Sequence, residues 1–184
     1  MGPDVAIVVG HRFGAQGARA VDGTTEWVEM REVAELLAIA LDYRDYESAV
    51  VLRDDRSTGL STLPAKVNQT GARICVSLHF NGSRSRRAQG SEVLYAAGSA
   101  RGRELAHAIQ DKQALVLGLP DRGLKAVPKD GRGGRILWGT QMPAVVVEPV
   151  FGSEARGWAT YKERRPAWIA ALADAIVCVG GEPV

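Results

Sequence analysis

Short apolar runs alternate along the chain with longer segments in which apolar residues recur every three or four positions. The runs predict strands, because they are brief, rich in β-branched residues and bounded by residues that favour turns. They cover residues 5–9, 49–52, 74–78 and 144–148, and residues 91–96 add a strand of alternating pattern. The longer segments predict helices over residues 25–41, 61–68, 100–117 and 165–179, with a long loop from 118 to 139.

Several of the predicted strands are apolar on both faces, which is typical of a parallel sheet covered by helices on both sides. With 184 residues, the chain is long enough for one well-buried domain and short for two. We therefore predict an α/β fold with a single domain over residues 1–184. In this fold, of the phosphorylase/hydrolase-like kind, helices flank a mostly parallel, twisted central sheet.

Two of the three histidines lie just past the ends of predicted core strands. His11 follows the first apolar run, and His79 follows the run that ends at Leu78. Another apolar run ends on Glu148, and Glu26 lies in the first turn of the helix that follows the first strand. Ligands of open α/β sheets collect at the carboxyl ends of the strands, so we expect these side chains at one edge of the sheet.

The chemistry of these side chains suggests a metal centre. Two imidazoles and one carboxylate are a common ligand set for a catalytic zinc, and a second carboxylate can serve as general base. The residues fit metal-assisted amide hydrolysis, although no compact motif such as H-E-x-x-H is present. The third histidine, His107, lies on a predicted helix, and we interpret it as a structural or surface residue.

Composition narrows the remaining function classes. The net charge of +2 is too small to indicate a nucleic-acid binder, and no apolar run approaches the roughly 20 residues of a membrane span. The N-terminus lacks the pattern of a signal peptide. Cys75 and Cys178 lie in apolar segments, so both are expected to be reduced core residues. Arg84, Arg86 and Arg87 are interpreted as a solvated loop, with an anion contact at the cleft edge as the alternative.

Several motifs, in the right order and over nearly the whole chain, resemble a known family. The segments are V-V-G-H-R-F-G-A-Q-G-A, S-L-H-F-N-G, Q-G-S-E-V-L-Y, D-R-G-L-K and M-P-A-V-V-V-E-P-V-F-G-S. They are similar to the first-histidine loop, the S-I-H-x-N segment, the following strand, the R-G-x-K loop and the final M-P-x-x-L-x-E-x-G-F segment of one enzyme family. This family is the zinc-dependent N-acetylmuramoyl-L-alanine amidases of the Amidase_3 type, found among bacterial autolysins and phage endolysins.

The resemblance implies one zinc ion held by His11, Glu26 and His79, with Glu148 as the catalytic acid/base. The implied substrate is peptidoglycan, cleaved at the amide between N-acetylmuramic acid and L-alanine of the stem peptide. Glu29, one turn after Glu26, is the alternative ligand, but Glu26 matches the motif and opens the helix.

The resemblance also implies substrate contacts. Asn81 is expected to bind substrate, and Arg122 and Lys125 are expected to contact substrate carboxylates or the developing charge. A solvated loop remains the alternative for the two basic residues. The chain departs from the family at Val150, where a glycine is usual, and at Arg12 and Phe13, where glycines are frequent, so the pocket mouth is expected to be more crowded.

Other readings stay open. A zinc carboxypeptidase would carry H-x-x-E at its first ligand pair, whereas Gly14 stands three residues after His11. A non-catalytic peptidoglycan-binding or regulatory module would be expected to lack a ligand or the base. We expect a monomer with no nucleic-acid partner, no membrane insertion and no separate wall-binding domain. It would act on the bacterial cell wall, either released from the cytoplasm as a phage lysin or exported within a longer protein.

Overall fold

The computed structural model describes residues 2–53 and 59–180. Within these ranges six strands form one sheet: β1 (Val5–Val9), β2 (Ser48–Val51), β3 (Ile74–Leu78), β4 (Ser91–Ala96), β5 (Asp121–Val127) and β6 (Ala144–Glu148). Five helices accompany them: α1 (Glu26–Asp42), α2 (Leu63–Asn68), α3 (Ala100–Leu117), α4 (Gly134–Gly139) and α5 (Ala155–Gly180). None of these described helices is both long and apolar enough to cross a membrane.

The strand order is β2-β1-β3-β6-β4-β5, and the first four strands in this order are parallel to one another. β4 runs antiparallel to β6 and parallel to β5. One edge of the sheet therefore carries the carboxyl ends of β1, β3 and β6 together with the amino ends of β4 and β5. In the β4–β6 register, Glu92 stands opposite Glu148. The predicted α/β class with a mostly parallel central sheet is confirmed.

Both faces of the sheet are covered, which explains the continuous apolar runs. Along β1, Val5, Ile7 and Val9 belong to one buried cluster, and Ala6 and Val8 belong to a second cluster on the other face. Side chains of α1, α3 and α5 fill the first cluster, and side chains of α2 and α4 join the second. The core thus fixes the directions of the strands whose ends carry the candidate residues.

Residues 118–139, predicted as a loop, contain β5 and α4 instead. Among the described strands, β5 is the last in the sheet and pairs only with β4. Most of its side chains are exposed or half-buried, so its sequence lacks the apolar run that marks a central strand. α4 has six residues and begins with Gly134 directly after Gly133, and these two glycines obscured its period.

The C-terminal helix begins at Ala155, ten residues before the predicted start, and continues through Pro166. The carboxylate of Glu154 accepts hydrogen bonds from the backbone N–H groups of Arg156 and Gly157, so it caps the helix. The buried positions of this helix leave Cys178 on the exposed side. The prediction of a core position is therefore wrong for Cys178, while Cys75 is buried in β3 as predicted.

Candidate active site

His11, Glu26 and His79 converge at the edge where β1 and β3 end. One carboxylate oxygen of Glu26 lies 3.0 Å from His11 Nε2, and the other lies 2.7 Å from His79 Nδ1. The two imidazole rings are 5.4 Å apart at an interplanar angle of 71°. One ligand atom from each side chain lies within 4.8 Å of the others, so the three could hold a metal ion.

The backbone around His11 bends sharply to bring its ring to this position. His11 adopts the left-handed conformation with φ of 66°, which is uncommon for a residue with a side chain. A Cβ at Gly10 would lie 2.7 Å from the His79 ring, and a Cβ at Gly17 would lie 2.5 Å from the His11 ring and 2.6 Å from the Glu26 carboxylate. Glycine at these two positions therefore leaves room for the three side chains.

Glu26 is prepared to carry a negative charge. It is the first residue of α1 and is 3% exposed. Burial alone would raise the pKa of Glu26, but hydrogen bonds from His11 and His79 outweigh this effect and hold the pKa at about 2. The backbone N–H groups of Ala18 and Phe80 also donate to its oxygens. An ionised carboxylate between two imidazoles is a donor set that suits a divalent cation.

Glu148 ends β6 and lines the same cleft as the three convergent side chains. It is 5% exposed, and burial raises the pKa of its carboxyl, an effect that the positive charge of Arg132 partly opposes. Arg132 Nη1 donates to Glu148 Oε2 over 3.2 Å. A carboxylate with a raised pKa in a cleft is suited to take up and return a proton.

Three further side chains, Asn81, Glu92 and Arg122, form a hydrogen-bonded network with Arg132 beside Glu148. Glu92 accepts hydrogen bonds from Asn81 Nδ2 at 3.1 Å, Arg122 Nε at 2.7 Å and Arg132 Nη2 at 2.6 Å. Arg132 Nη1 also donates to Asn81 Oδ1 at 2.7 Å. Burial raises the pKa of Glu92, but these hydrogen bonds and the charge of Arg122 lower it overall. The network thus holds Arg132 against Glu148 from two sides.

Comparison with known proteins shows the family of the chain. The model of the Amidase_3 family, N-acetylmuramoyl-L-alanine amidase, matches residues 5–178. The chain belongs to this family. No curated protein sequence matches it.

Solved structures with the same fold include the catalytic domain of an endolysin and two amidases. The catalytic domain of the endolysin CD27L, which targets Clostridia difficile, is 25% identical, with a TM-score of 0.79 and 96% of each chain covered. The catalytic domain of the amidase CwlV from Bacillus (Paenibacillus) polymyxa var. colistinus is 24% identical, with a TM-score of 0.77, over 96% of this chain and 94% of that one. The amidase Ami1 from Mycobacterium smegmatis is 19% identical, with a TM-score of 0.81, over 96% and 95%. The last two likenesses bear on the fold alone.

In this amidase the predicted substrate-binding residues lie in different places. Asn81 lines the cleft, whereas the described cleft lining includes neither Arg122 nor Lys125. Arg122 pairs with Glu92 and lies over the ring of Phe151, and Lys125 donates to the backbone carbonyl of Arg122. Contact of these residues with substrate stays a prediction.

The alternative ligand Glu29 lies on another side of α1. Its carboxylate pairs with Lys162 at 2.8 Å and with Arg165 at 2.9 Å, so it links α1 to α5. The third histidine, His107, is exposed and pairs with Asp111 within α3. Neither residue belongs to the group that could hold a metal ion.

Glu92 and Arg132 are the site residues that sequence reasoning missed. The sequence signal for Glu92 is an acidic residue inside a predicted strand, but its partner depends on the register between strands distant in sequence. Arg132 stands among glycines in a segment predicted as loop, where nothing in the local pattern separates it from its basic neighbours.

The cleft has a volume of about 1690 Å³, larger than a typical small-molecule pocket and suited to an extended polymer. Its charged lining is mostly basic: Arg12, Arg19, Arg53, Arg84, Lys129, Arg132 and Arg135 face Glu26, Asp130 and Glu148. Arg84 thus lies at the cleft, whereas its loop neighbours Arg86 and Arg87 are exposed outside the described lining. An acidic substrate would be complementary to this surface.

Proposed function

We propose that this amidase is zinc-dependent and hydrolyses the amide that joins the lactyl group of N-acetylmuramic acid to L-alanine of the peptidoglycan stem peptide. The observation that carries the proposal is the convergence of His11, Glu26 and His79, whose ligand atoms lie within 4.8 Å of one another in the cleft that also contains Glu148. Membership of the amidase family supports the same bond.

His11, Glu26 and His79 would hold the zinc ion. When bound, zinc supplies Lewis-acid chemistry that polarises a carbonyl oxygen and acidifies a water molecule. The chain contributes a carboxylate with a pKa of about 2, so Glu26 is ionised over the whole neutral range. The hydrogen bonds from Ala18 and Phe80 fix the orientation of that carboxylate before any ligand arrives.

Glu148 would act as general base and then as general acid. It would take a proton from the attacking water and hand it to the nitrogen of L-alanine when the amide bond breaks. Its raised pKa makes the carboxylate a stronger base for the first proton transfer, and the charge of Arg132, which opposes that rise, favours the ionised form that this step needs. Asn81 and Glu92 would position Arg132 for this task, and Arg122 would act through Glu92.

We propose cell lysis by a phage endolysin as the biological role, with wall remodelling by a bacterial autolysin as the alternative. The likeness to the endolysin catalytic domain at 25% identity supports the first role. The substrate would be solid peptidoglycan, which agrees with a wide and open cleft lined by basic side chains.

Mass spectrometry of purified peptidoglycan incubated with the protein tests the proposal. We expect stem peptides with a free N-terminal L-alanine, no product in the presence of a chelator, and recovery when zinc is added back. Peptidoglycan that is bound but left intact with saturating zinc would contradict catalysis and favour a non-catalytic binding module.

Two variants separate the proposed roles. Glu148→Ala should retain zinc and lose hydrolysis, because the base is not a ligand. His79→Ala should lose both. Loss of zinc in folded Glu148→Ala, or full activity in folded His79→Ala, would contradict the assignment.

A further inference from the structure

Two arginines in the cleft have no partner for their charge among the described residues. Arg12 and Arg53 both line the cleft, and neither guanidinium makes a hydrogen bond or an ion pair with any other described residue. Nε of Arg53 is buried and has no hydrogen-bond partner. Burial and the neighbouring charge of Arg12 lower the pKa of Arg53. Two like charges therefore lie near one another, and one of their donors, Nε of Arg53, is buried without an acceptor.

The fold brings this pair to the metal side of the cleft. β1 and β2 are parallel neighbours, with Val8 opposite Val51 in the register. Arg12 follows His11 in the loop after β1, and Arg53 comes two residues after the end of β2. Both arginines therefore stand at the sheet edge that carries the candidate ligands. Glu148, at the end of β6, belongs to the opposite half of that edge, and Arg132 contacts it from the segment between β5 and α4.

Two neighbouring guanidinium groups without a described partner favour a planar anion as their ligand. Each guanidinium offers parallel N–H donors that match the two oxygens of a carboxylate. A bound carboxylate would separate the two positive charges and give the buried Nε of Arg53 an acceptor. None of the three described acids of the cleft lining pairs with these arginines: Glu26 is engaged by two histidines, Glu148 is engaged by Arg132, and Asp130 makes no ion pair with either one.

We propose that Arg12 and Arg53 form a subsite that binds a free carboxylate of the stem peptide. This inference rests on the proposed amidase function, which places the amide bond at His11, Glu26 and His79. The acidic second residue and the diamino acid at the third position each present a carboxylate that bacteria leave free or convert to an amide. The subsite would therefore select stem peptides by their amidation state.

Matched muropeptides test this selection. Each substrate pair differs only in carboxylate or primary amide, one pair at the second residue and one at the third, and kcat/KM is measured on all four. We expect the wild-type protein to prefer the free carboxylate about tenfold or more at one of the two positions. That position identifies the group that is bound.

Variants assign the preference to the two arginines. Arg12→Gln and Arg53→Gln should each lower kcat/KM on the preferred substrate about tenfold and leave kcat/KM on the amidated substrate unchanged. Arg103→Gln, on the exposed face of α3 and outside the described cleft lining, is the matched control and should keep the full preference. Because Arg12 is exposed, Arg12→Gln keeps the test decisive if Arg53→Gln fails to fold.

The outcomes separate this inference from the function on which it rests. Equal cleavage of free and amidated substrates would overturn the subsite and leave the amidase function standing. Preference retained in a folded Arg12→Gln protein would also overturn it. No cleavage of any of the four substrates with zinc present would overturn the amidase function and the subsite with it.

Discussion

The substitution Glu92→Gln tests whether the network beside Glu148 matters for both stability and catalysis. Glu92 is 3% exposed and accepts hydrogen bonds from Asn81, Arg122 and Arg132. Glutamine keeps the shape of the side chain but removes the charge. It also turns an amide NH₂ group, a donor, toward positions where donors already point. Arg132 then loses one of the two carboxylates that hold it.

The distances set the size of the effect. The two arginine nitrogens lie 2.7 and 2.6 Å from the Glu92 oxygens. Coulomb's law gives about 1.5 kcal/mol for such a pair in water and about 6 kcal/mol at an effective dielectric constant of about 20. The two arginine side chains are 40% and 57% exposed, so solvent screening brings each pair toward the lower value. We therefore expect Glu92→Gln to lower the free energy of unfolding by about 2–4 kcal/mol.

Two assays read the result. Urea unfolding followed by circular dichroism measures the stability, and a loss of about 2–4 kcal/mol corresponds to a decrease in Tm of roughly 5–15 °C. Hydrolysis of a muropeptide measures kcat, which should fall about ten- to hundredfold because Arg132 no longer holds Glu148 in one place. Glu104→Gln, an exposed acid on α3, is the control and should change neither quantity. A Glu92→Gln protein with wild-type stability and wild-type kcat would refute the role of the network.

Three further perturbations have defined outcomes. Arg132→Gln removes the charge that opposes the burial of Glu148, so the pKa of Glu148 rises further and the acidic limb of the kcat/KM profile moves to higher pH. Gly17→Ala places a Cβ within 2.6 Å of two of the three candidate ligands, at a residue whose φ is positive. The zinc affinity, measured with a chromogenic chelator, should therefore fall at least tenfold. Arg165→Met leaves the buried carboxylate of Glu29 with one partner, so the free energy of unfolding measured in urea should fall by about 1–3 kcal/mol.

Each of these perturbations has a control in the chain. Gly14→Ala adds a methyl group where no atom lies within 4 Å and should leave zinc affinity unchanged. Arg103→Gln should leave the pH profile in place, and Arg156→Met, exposed on α5, should leave stability within about 0.5 kcal/mol of the wild type. An acidic limb that stays in place or moves to lower pH in Arg132→Gln would contradict the claim that the charge of Arg132 lowers the pKa of Glu148 and that Glu148 is the general base. Unchanged zinc affinity in Gly17→Ala would contradict the close approach of Gly17 to His11 and Glu26. Unchanged stability in Arg165→Met would contradict a stabilising ion pair between Arg165 and Glu29.

The parts of the fold that could be predicted are those whose sequence shows a local pattern of apolar and polar residues. Val5–Val9 and Ala144–Glu148 are apolar at every position or nearly so, because helices cover both faces of the sheet. The rule that parallel strands collect ligands at their carboxyl ends then placed His11 and His79 together. This rule alone did not identify Glu26 as a ligand, because only the family motif distinguished it from Glu29 on the same helix.

The parts that were missed depend on contacts distant in sequence. Asp121–Val127 is a strand because β4 offers it a partner, not because its own sequence has a strand period. Glu92 meets Glu148 only through an antiparallel register between β4 and β6, while the other pairs of the sheet are parallel. The early start of α5 depends on the capping contacts of Glu154, which lie well before the predicted start at residue 165.

The position of β3 and β6 in the middle of the sheet has a consequence for amide hydrogen exchange. Each of these strands is hydrogen-bonded on both sides, so their amides should exchange only when the whole domain unfolds. The segment that carries Arg132 lies between glycines, and Arg132 itself is exposed, so its amides can exchange by local opening. Amide exchange should therefore be slow in the two central strands and faster in the segment that carries Arg132, although both lie beside the carboxylate of Glu148.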